Sequence, residues 1–286
     1  MPKKTKKMVI LSAVLVILSL LIVWIVWGNT ALQLTECTFS NDKIPFELDG
    51  FRIAQISDLH NTEIGDGNEK LLKMIRDAEP DIIVLTGDII DSRRTDIDIA
   101  LAFTKEAIKI APCYYITGNH ESRAEEYETL LKNRLISQGI TVLENETVYI
   151  KKGEATIRII GLNDPFFSTD TESHSSVIMK NTLSSLNITD DYFTLLLSHR
   201  PELFDIYKEY EIDLVLSGHA HGGQFRIPFL GGVFVPSQGL FPKYDAGLFH
   251  ENGTSMIISR GIGNSVFPFR INNRPEVVLI ELKKSH

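Results

Sequence analysis

From Met8 to Trp27 the chain reads MVILSAVLVILSLLIVWIVW, without a single charge, and beyond it the pattern breaks into short apolar runs separated by polar segments. The first run matches the ~20 residues that a membrane-spanning helix needs. Its leading segment, MPKKTKK, carries four lysines, which predicts a cytoplasmic N-terminus, and Trp24 and Trp27 stand where an interfacial aromatic belt would hold the outer end. A cleaved signal peptide would have a shorter apolar region followed by a small-x-small site, and WGNTALQLTE offers no clear one. A buried core helix would not need an unbroken apolar circumference. The expected organisation is a basic cytoplasmic tail over residues 1–7, a single-pass anchor over 8–27, a linker over 28–50 with room for one edge strand, and an extracytoplasmic folded domain over 51–286.

Within that domain, β-rich apolar runs at Phe51 to Ser57, Asp81 to Thr86, Tyr114 to Thr117, Phe193 to Ser198 and Asp213 to Ser217 predict buried strands. Amphipathic stretches at Asn68 to Ala78 and Asp96 to Ile110 lie between the first three, the alternation of an α/β domain. Further strand-like segments occur at Thr147 to Lys151, Thr156 to Gly161, Gln224 to Ile227, Thr254 to Ser259 and Val277 to Leu282. Several have no helix between them, so a mixed sheet or two packed sheets fits better than one parallel sheet.

Charge narrows the function classes. Without the four leading lysines, 25 basic residues face 37 acidic ones, a net charge near -12. Such a surface repels polyanions and excludes nucleic acid as a partner, and a phosphate substrate would need local positive charge of the kind metal ions supply. Cys37 and Cys113 are too few for a disulfide framework, and both are expected unpaired.

The candidate chemistry sits immediately beyond the strands. FRIAQIS leads to Asp58-Leu59-His60, DIIVLT to Gly87-Asp88, YYIT to Gly118-Asn119-His120-Glu121, YFTLLLS to His199 and DLVLS to Gly218-His219-Ala220-His221. In α/β sheets the loops beyond strand carboxyl ends gather distant residues into one pocket. Taken alone, Asp58 or Asp88 reads as a cap or turn residue, Asn119 as a turn former and His199 as a structural histidine. Five of the eight histidines falling directly after strands is a different matter. His174, His250 and His286 lie elsewhere and carry no assigned role. Aspartate, asparagine and imidazole together suit manganese, iron or zinc, and a carboxylate such as Asp88 can bridge two cations.

In order and completely, these elements resemble the calcineurin-like metallophosphoesterases: Asp-x-His, Gly-Asp, Gly-Asn-His-Glu, a separate His, and Gly-His-x-His, covering about Phe51 to Leu282. The basic N-terminus, the membrane segment and GHAHGGQFRIP resemble the bacterial membrane-associated YaeI/YkuE-type branch of that superfamily. The resemblance implies a four-layer αββα sandwich of two mixed β-sheets flanked by helices, preceded by one transmembrane helix. It implies two divalent ions (Mn, Fe or Zn), with Asp58, His60 and His221 holding one, Asn119, His199 and His219 the other, and Asp88 bridging them. His219 and His221 would then point the same way from an extended turn, with Gly218, Gly222 and Gly223 letting the backbone close around the site. His120 falls at the family's non-ligand position, where it stabilises the transition state or protonates the leaving oxygen. Glu121 is expected to support the site rather than bind metal.

The expected activity is phosphoester hydrolysis in the cell membrane, foremost on a phosphodiester or pyrophosphate, with lipid-linked or sugar-nucleotide phosphates as candidates. A phosphomonoesterase or protein phosphatase uses the same metal frame, and a non-catalytic scaffold is the alternative from another class. Arg123, Arg200, Arg226, Arg260 and Arg270 lie near the motifs as undistinguished phosphate clamps. Two Phe- and Leu-rich stretches, IPFLGGVFVPSQGLFPKYDAGLF and SVFPFR, suit either an apolar wall near the site or core packing of the second sheet.

Overall fold

A computed structural model describes residues 2–169, 171–264 and 267–285. The apolar run of the N-terminus forms helix α1, Lys3–Thr30, whose side chains are exposed almost throughout. Among the described residues it is the one helix long and apolar enough to cross a membrane, with mean hydropathy 3.2.

The chain then lays down β1 Gln33–Asn41, β2 Arg52–Ile56, α2 Glu69–Asp77, β3 Ile82–Thr86, α3 Ile97–Ala107, β4 Cys113–Ile116, α4 Lys132–Ser137 and β5 Thr141–Val142. The second half contributes β6 Glu146–Lys152, β7 Ala155–Gly161, α5 Glu172–Ser185, β8 Thr194–Leu197, α6 Phe204–Tyr207 and β9 Leu214–Ser217. Two short ribbons come next, β10 Arg226–Ile227 with β11 Gly231–Gly232, and β12 Phe234–Val235 with β13 Gly239–Leu240, and then β14 Gly247–Glu251, β15 Thr254–Ile258 and β16 Glu276–Lys284.

Two six-stranded mixed sheets result, in the orders β1-β16-β2-β3-β4-β5 and β14-β15-β9-β8-β7-β6. Strands β2 to β5 are parallel to one another, as are β7, β8, β9 and β15, so each sheet directs a row of carboxyl ends to one side.

Side-chain alternation along these strands builds the layers. Ile53, Ile82, Val84, Leu195, Leu197, Leu214 and Leu216 fill the space between the sheets. Their neighbours Ala54, Ile56, Ile83 and Leu85 turn outward onto Leu71, Leu72 and Ile75 of α2 and Leu101 and Phe103 of α3. On the other side Leu196, Val215, Met256 and Ile258 meet Met179 and Leu183 of α5 and Phe204 and Tyr207 of α6. The order is helix, sheet, sheet, helix, the expected four layers. One polar group crosses the inner layer: buried Gln55 donates through Nε2 to Ser217 O (2.9 Å) and Thr86 Oγ1 (3.2 Å), tying β2 and β3 to β9.

The helices differ in how locally they are specified. Asp96 caps α3 by accepting from Asp98 N at 3.1 Å, and Pro112 follows its end. α5 lies where no element was expected, because ESHSSVIMKNTLSS offers only Ser175, Met179 and Leu183 at i, i+4, i+8 as a buried stripe. The segment 28–50, expected as a linker with room for an edge strand, contains β1, which pairs in parallel with β16 over nine positions, Gln33 with Glu276 through Asn41 with Lys284. Cys37 and Cys113 are both free. The strand-like Gln224 to Ile227 reduces to the two residues of β10, and β14 joins the second sheet unannounced by its sequence.

Candidate metal centre

The loops after β2, β3, β4, β8 and β9 bring together Asp58, His60, Asp88, Asn119, His120, His199, His219 and His221, all buried. Two sets of donor atoms form within them, each mutually within 4.8 Å: Asp58, His60 and His221, and Asp88, His199 and His219. Asp58 Oδ1 lies 3.2 Å from His221 Nε2 and 3.8 Å from His60 Nε2. Asp88 Oδ2 lies 3.2 Å from His199 Nε2 and 3.6 Å from His60 Nε2, so its carboxylate reaches into both sets.

Backbone conformation aims these side chains. Asp58 (φ 54), His60 (φ 45), Asp88 (φ 52), His219 (φ 66) and His221 (φ 47) all sit in the left-handed region, a conformation that costs about 1–3 kcal/mol at a non-glycine residue and persists where function requires it. The expected extended turn at His219 and His221 is therefore corrected: both bend back in left-handed conformations, which deliver each ring to a different donor set. Glycine is needed where loops touch. A Cβ at Gly218 would stand 1.9 Å from Ser57 Oγ and 2.5 Å from Asp58 Oδ2, and one at Gly118 would stand 2.2 Å from Asp88 Oδ1.

Electrostatics favour a cation here. Burial opposes ionisation of Asp58, yet His221, His60 and His199 hold its carboxyl well below the usual range. Asp88 is likewise held low against burial, chiefly by His199 and His120. For His199 burial acts downward, but the charges of Asp88 and Asp58 win and raise its pKa to about 10. His219 and His221 are kept neutral by burial, which leaves lone pairs available.

The donor set fits divalent metal. Asn119 Oδ1, His199 Nε2 and His60 Nδ1 are buried with no hydrogen-bond partner among the described residues, where such atoms are normally satisfied. The Nε2 atoms of His60 and His221 face each other at 3.1 Å. His199 Nδ1 lies 2.7 Å from Thr86 O and donates to it, which fixes the ring with Nε2 toward Asp88; a bound cation would displace the Nε2 proton that the two carboxylates hold there, the arrangement that orients a ligating imidazole.

Glu121 braces this centre from outside it. Its Oε2 accepts from Asp88 N (2.9 Å) and Gly118 N (2.7 Å), and Oε1 accepts from Ile90 N (3.3 Å), pinning the β3 and β4 loops together. Burial and the neighbouring Asp88 push its pKa up to about 7. Glu121→Ala strands three N–H groups, each costing ~1–3 kcal/mol, and is expected to lower unfolding free energy by about 3 kcal/mol or more. Urea titration of wild type and variant checks this; a loss under half that size would show that water replaces the carboxylate.

His120 belongs to neither of these sets but to a third group of mutually close donors, with His60 and Asp91. Its Nδ1 accepts from Ser92 N at 3.0 Å, so the neutral ring carries its proton on Nε2, and burial lowers its pKa to about 4. Asp91, absent from the sequence-derived candidates, is buried 3.5 Å from the same Nδ1 and is held at about 2, against burial, by Arg93. Its signal was available as a second acid in the loop that carries Asp88.

The arginines now separate. Arg200 is buried, bonded to Asp164 through Nε (2.5 Å) and Nη2 (3.0 Å), stacked on Phe166 at 4.4 Å, with Nη1 3.2 Å from His219 Nε2. It lines a cleft of about 110 Å³ with Arg123, Phe166, Pro236 and Ser237, into which Asp88, Asn119, His120, His219 and His221 also face. Arg226 is engaged by Asp245 and Gly222 O, Arg260 faces Glu276, and Arg270 is buried with Nη2 3.4 Å from His221 Nδ1. The apolar stretch after β9 divides as well: Val235 and Tyr244 join the core, whereas Phe229, Leu230, Leu240 and Phe241 are exposed. Ser265 and Val266 of SVFPFR, and His286, lie outside the described residues. His174 pairs with Thr171 and His250 with Ser255, away from the centre.

Acid and imidazole donors that fit divalent cations, seated across the carboxyl ends of two stacked sheets, are the equipment of a metal-dependent phosphoester hydrolase. The chain belongs to the calcineurin-like phosphoesterase family, whose model matches residues 51–223. It is 31% identical to the metallophosphoesterase YkuE of Bacillus subtilis strain 168 over 264 residues, 89% of this chain and 87% of that protein. It is 29% identical to the phosphodiesterase YaeI of Escherichia coli K12 over 246 residues, 81% of this chain and 82% of that one. The crystal structure of TT1561 of Thermus thermophilus has a similar fold, with a TM-score of 0.51 at 15% identity, covering 74% of this chain and 90% of that one. The expected superfamily, its YaeI/YkuE-type branch and the hydrolase class are thereby established.

Proposed function

We propose that this protein is a membrane-anchored phosphodiesterase or pyrophosphatase working with two divalent ions, of manganese, iron or zinc. Asp58, His60 and His221 would hold one, Asn119, His199 and His219 the other, with Asp88 between them. The observation that carries the reading is the pair of donor sets joined at Asp88, with the partnerless Asn119 Oδ1 and His199 Nε2 beside them. When bound, the ions supply an activated water and neutralise charge on the phosphoryl oxygens.

The remaining work belongs to the side chains. His120 lines the cleft with Nδ1 held by Ser92 N and would serve the leaving oxygen through Nε2, Arg200 is held rigid by Asp164 and Phe166 at the cleft wall, and Arg123 extends the positive charge outward. In this reading α1 spans the membrane with its lysines in the cytoplasm, and the catalytic unit, including β1, lies outside. An anchored enzyme meets lipid-linked phosphoesters at high local concentration, which makes them the favoured substrates over soluble ones.

The test uses the detergent-solubilised full chain, stripped of metal and then given Mn²⁺, on an aryl phosphodiester and the matching monoester, beside Asn119→Ala. Metal-restored diester hydrolysis that the variant lacks is expected. A monoester preference would assign the phosphatase alternative, and metal binding without turnover of either would favour a scaffold.

A further inference from the structure

The register of the first sheet determines where the anchor joins the domain. β16 runs antiparallel to β2, with Val278 opposite Gln55, and β1 runs parallel to β16 from Gln33 opposite Glu276. The start of β1 therefore lies at the carboxyl end of β2, the end that leads to Asp58 and His60. α1 stops at Thr30, just before β1, so the helix meets the domain on the face that holds the metal centre.

The junction is bonded rather than loose. Asn29 Nδ2 donates to Arg270 O (2.9 Å) while Arg270 N donates to Asn29 Oδ1 (2.7 Å). Arg274 donates from Nε to Ala31 O (2.7 Å) and from Nη2 to Leu32 O (2.8 Å), and its guanidinium lies over the Trp27 ring at 4.8 Å. A helix end fixed this way cannot swing the domain freely about a linker.

On the same face, the two ribbons push Phe229, Leu230, Leu240 and Phe241 into solvent, Phe229 completely. They belong to the segment whose Pro236 and Ser237 line the cleft. The ribbons are tied to the anchor's loop by Arg226 N donating to Ile271 O (3.0 Å), and Phe267 and Phe269 pack in tilted geometry against Phe225, with ring centroids 5.1 and 5.5 Å away. Large apolar side chains gathered in this way need a cover. The opposite end is polar: exposed Lys151 and Lys152 close β6 and exposed Glu154 lies in the turn to β7.

We propose that the domain rests site-down on the bilayer that α1 spans, with Phe229, Leu230, Leu240 and Phe241 inserted among the headgroups and upper acyl chains. The cleft then opens at headgroup depth and takes phosphoesters presented by lipids of that leaflet. The inference rests on the reading of α1 as a membrane anchor.

The test places the full chain in phosphatidylcholine vesicles whose acyl chains are brominated near the glycerol end, bromine being a contact quencher of tryptophan. Native Trp24 and Trp27, the two tryptophans of the chain, report the anchor. Phe229→Trp and Phe241→Trp report the proposed contact, and Glu154→Trp the far end, each in a Trp24→Phe, Trp27→Phe background. Positions 229 and 241 are expected to lose about half of their emission or more, as for side chains at the acyl boundary, and position 154 none. Quenching of the native tryptophans without quenching at 229 and 241 would overturn the site-down arrangement and leave the anchor standing. Unquenched native tryptophans would remove the anchor reading itself. As a second measurement, serine at 229, 230, 240 and 241 together is expected to slow hydrolysis of a vesicle-borne phosphodiester lipid about tenfold and leave a soluble aryl diester unaffected. Equal rates of variant and wild type on the vesicle substrate would also overturn the proposal.

Discussion

Asp88→Asn is expected to cost about three orders of magnitude in kcat/KM, ~4 kcal/mol of transition-state stabilisation, together with metal. Asp88 Oδ2 approaches both His199 Nε2 and His60 Nε2, while Oδ1 accepts from His120 N at 2.8 Å. Asparagine can keep the bond from His120 N, so the loop is expected to hold its shape. It cannot supply the charge that both donor sets share, and it turns an amide N–H₂ toward the imidazoles. Metal content and thermal unfolding separate this from a folding defect. For wild type, Mn²⁺ at a hundred times its Kd should add about 2.7 kcal/mol and raise Tm by roughly 5–10 °C. The variant should melt close to the metal-free wild type and show little of that rise. A variant that keeps both the metal-dependent rise and its activity would remove Asp88 from the bridging position.

The elements that carry this site were legible because they obey local rules. The near-continuous apolar runs Ile53 to Ile56, Ile82 to Leu85 and Leu195 to Leu197 mark strands buried on both faces, and the first polar residues beyond such strands must lie at the sheet's carboxyl edge. The features that escaped depend on contacts between distant segments. β1 is an edge strand with half its residues exposed, so its composition resembles a linker until β16 is placed beside it. Arg200 is one arginine among five until Asp164 and Phe166, some thirty-five residues earlier, fix it at the cleft. The left-handed conformations of His219 and His221 depend on Asn273, whose Nδ2 holds His221 O at 2.7 Å, and on Asp58, whose carboxylate accepts from His219 N. No window around GHAHGG contains those partners. The apolar stretch after β9 has the composition of either core or surface, and only the packing of Val235 and Tyr244, set against the exposure of Phe229, separates the two.

His120→Ala is expected to lower kcat by about 10²–10⁴-fold, the range for a lost general acid, while leaving metal content unchanged. The free ring is neutral at pH 7 because burial holds its pKa at about 4, so acid catalysis requires the imidazolium, which the negative charge of a bound phosphodiester favours; its Nε2 proton then passes to the leaving oxygen and leaves the neutral ring, with Nδ1 beside Ser92 N. That proton matters in proportion to how badly the leaving oxygen needs it. An alkyl phosphodiester, whose alkoxide is a poor leaving group, should show the full loss, whereas a 4-nitrophenyl ester, whose phenolate departs without help, should show little of it. If His120 instead stabilises charge on the phosphoryl oxygens, both substrates would lose the same factor, because that charge is present whichever oxygen leaves. Equal losses would therefore overturn the acid assignment and keep the residue in the site, whereas lost metal would move His120 into the ligand set. His120→Gln provides the internal control: its amide can donate a hydrogen bond but cannot release a proton, so it should recover part of a charge-stabilising role and none of an acid's.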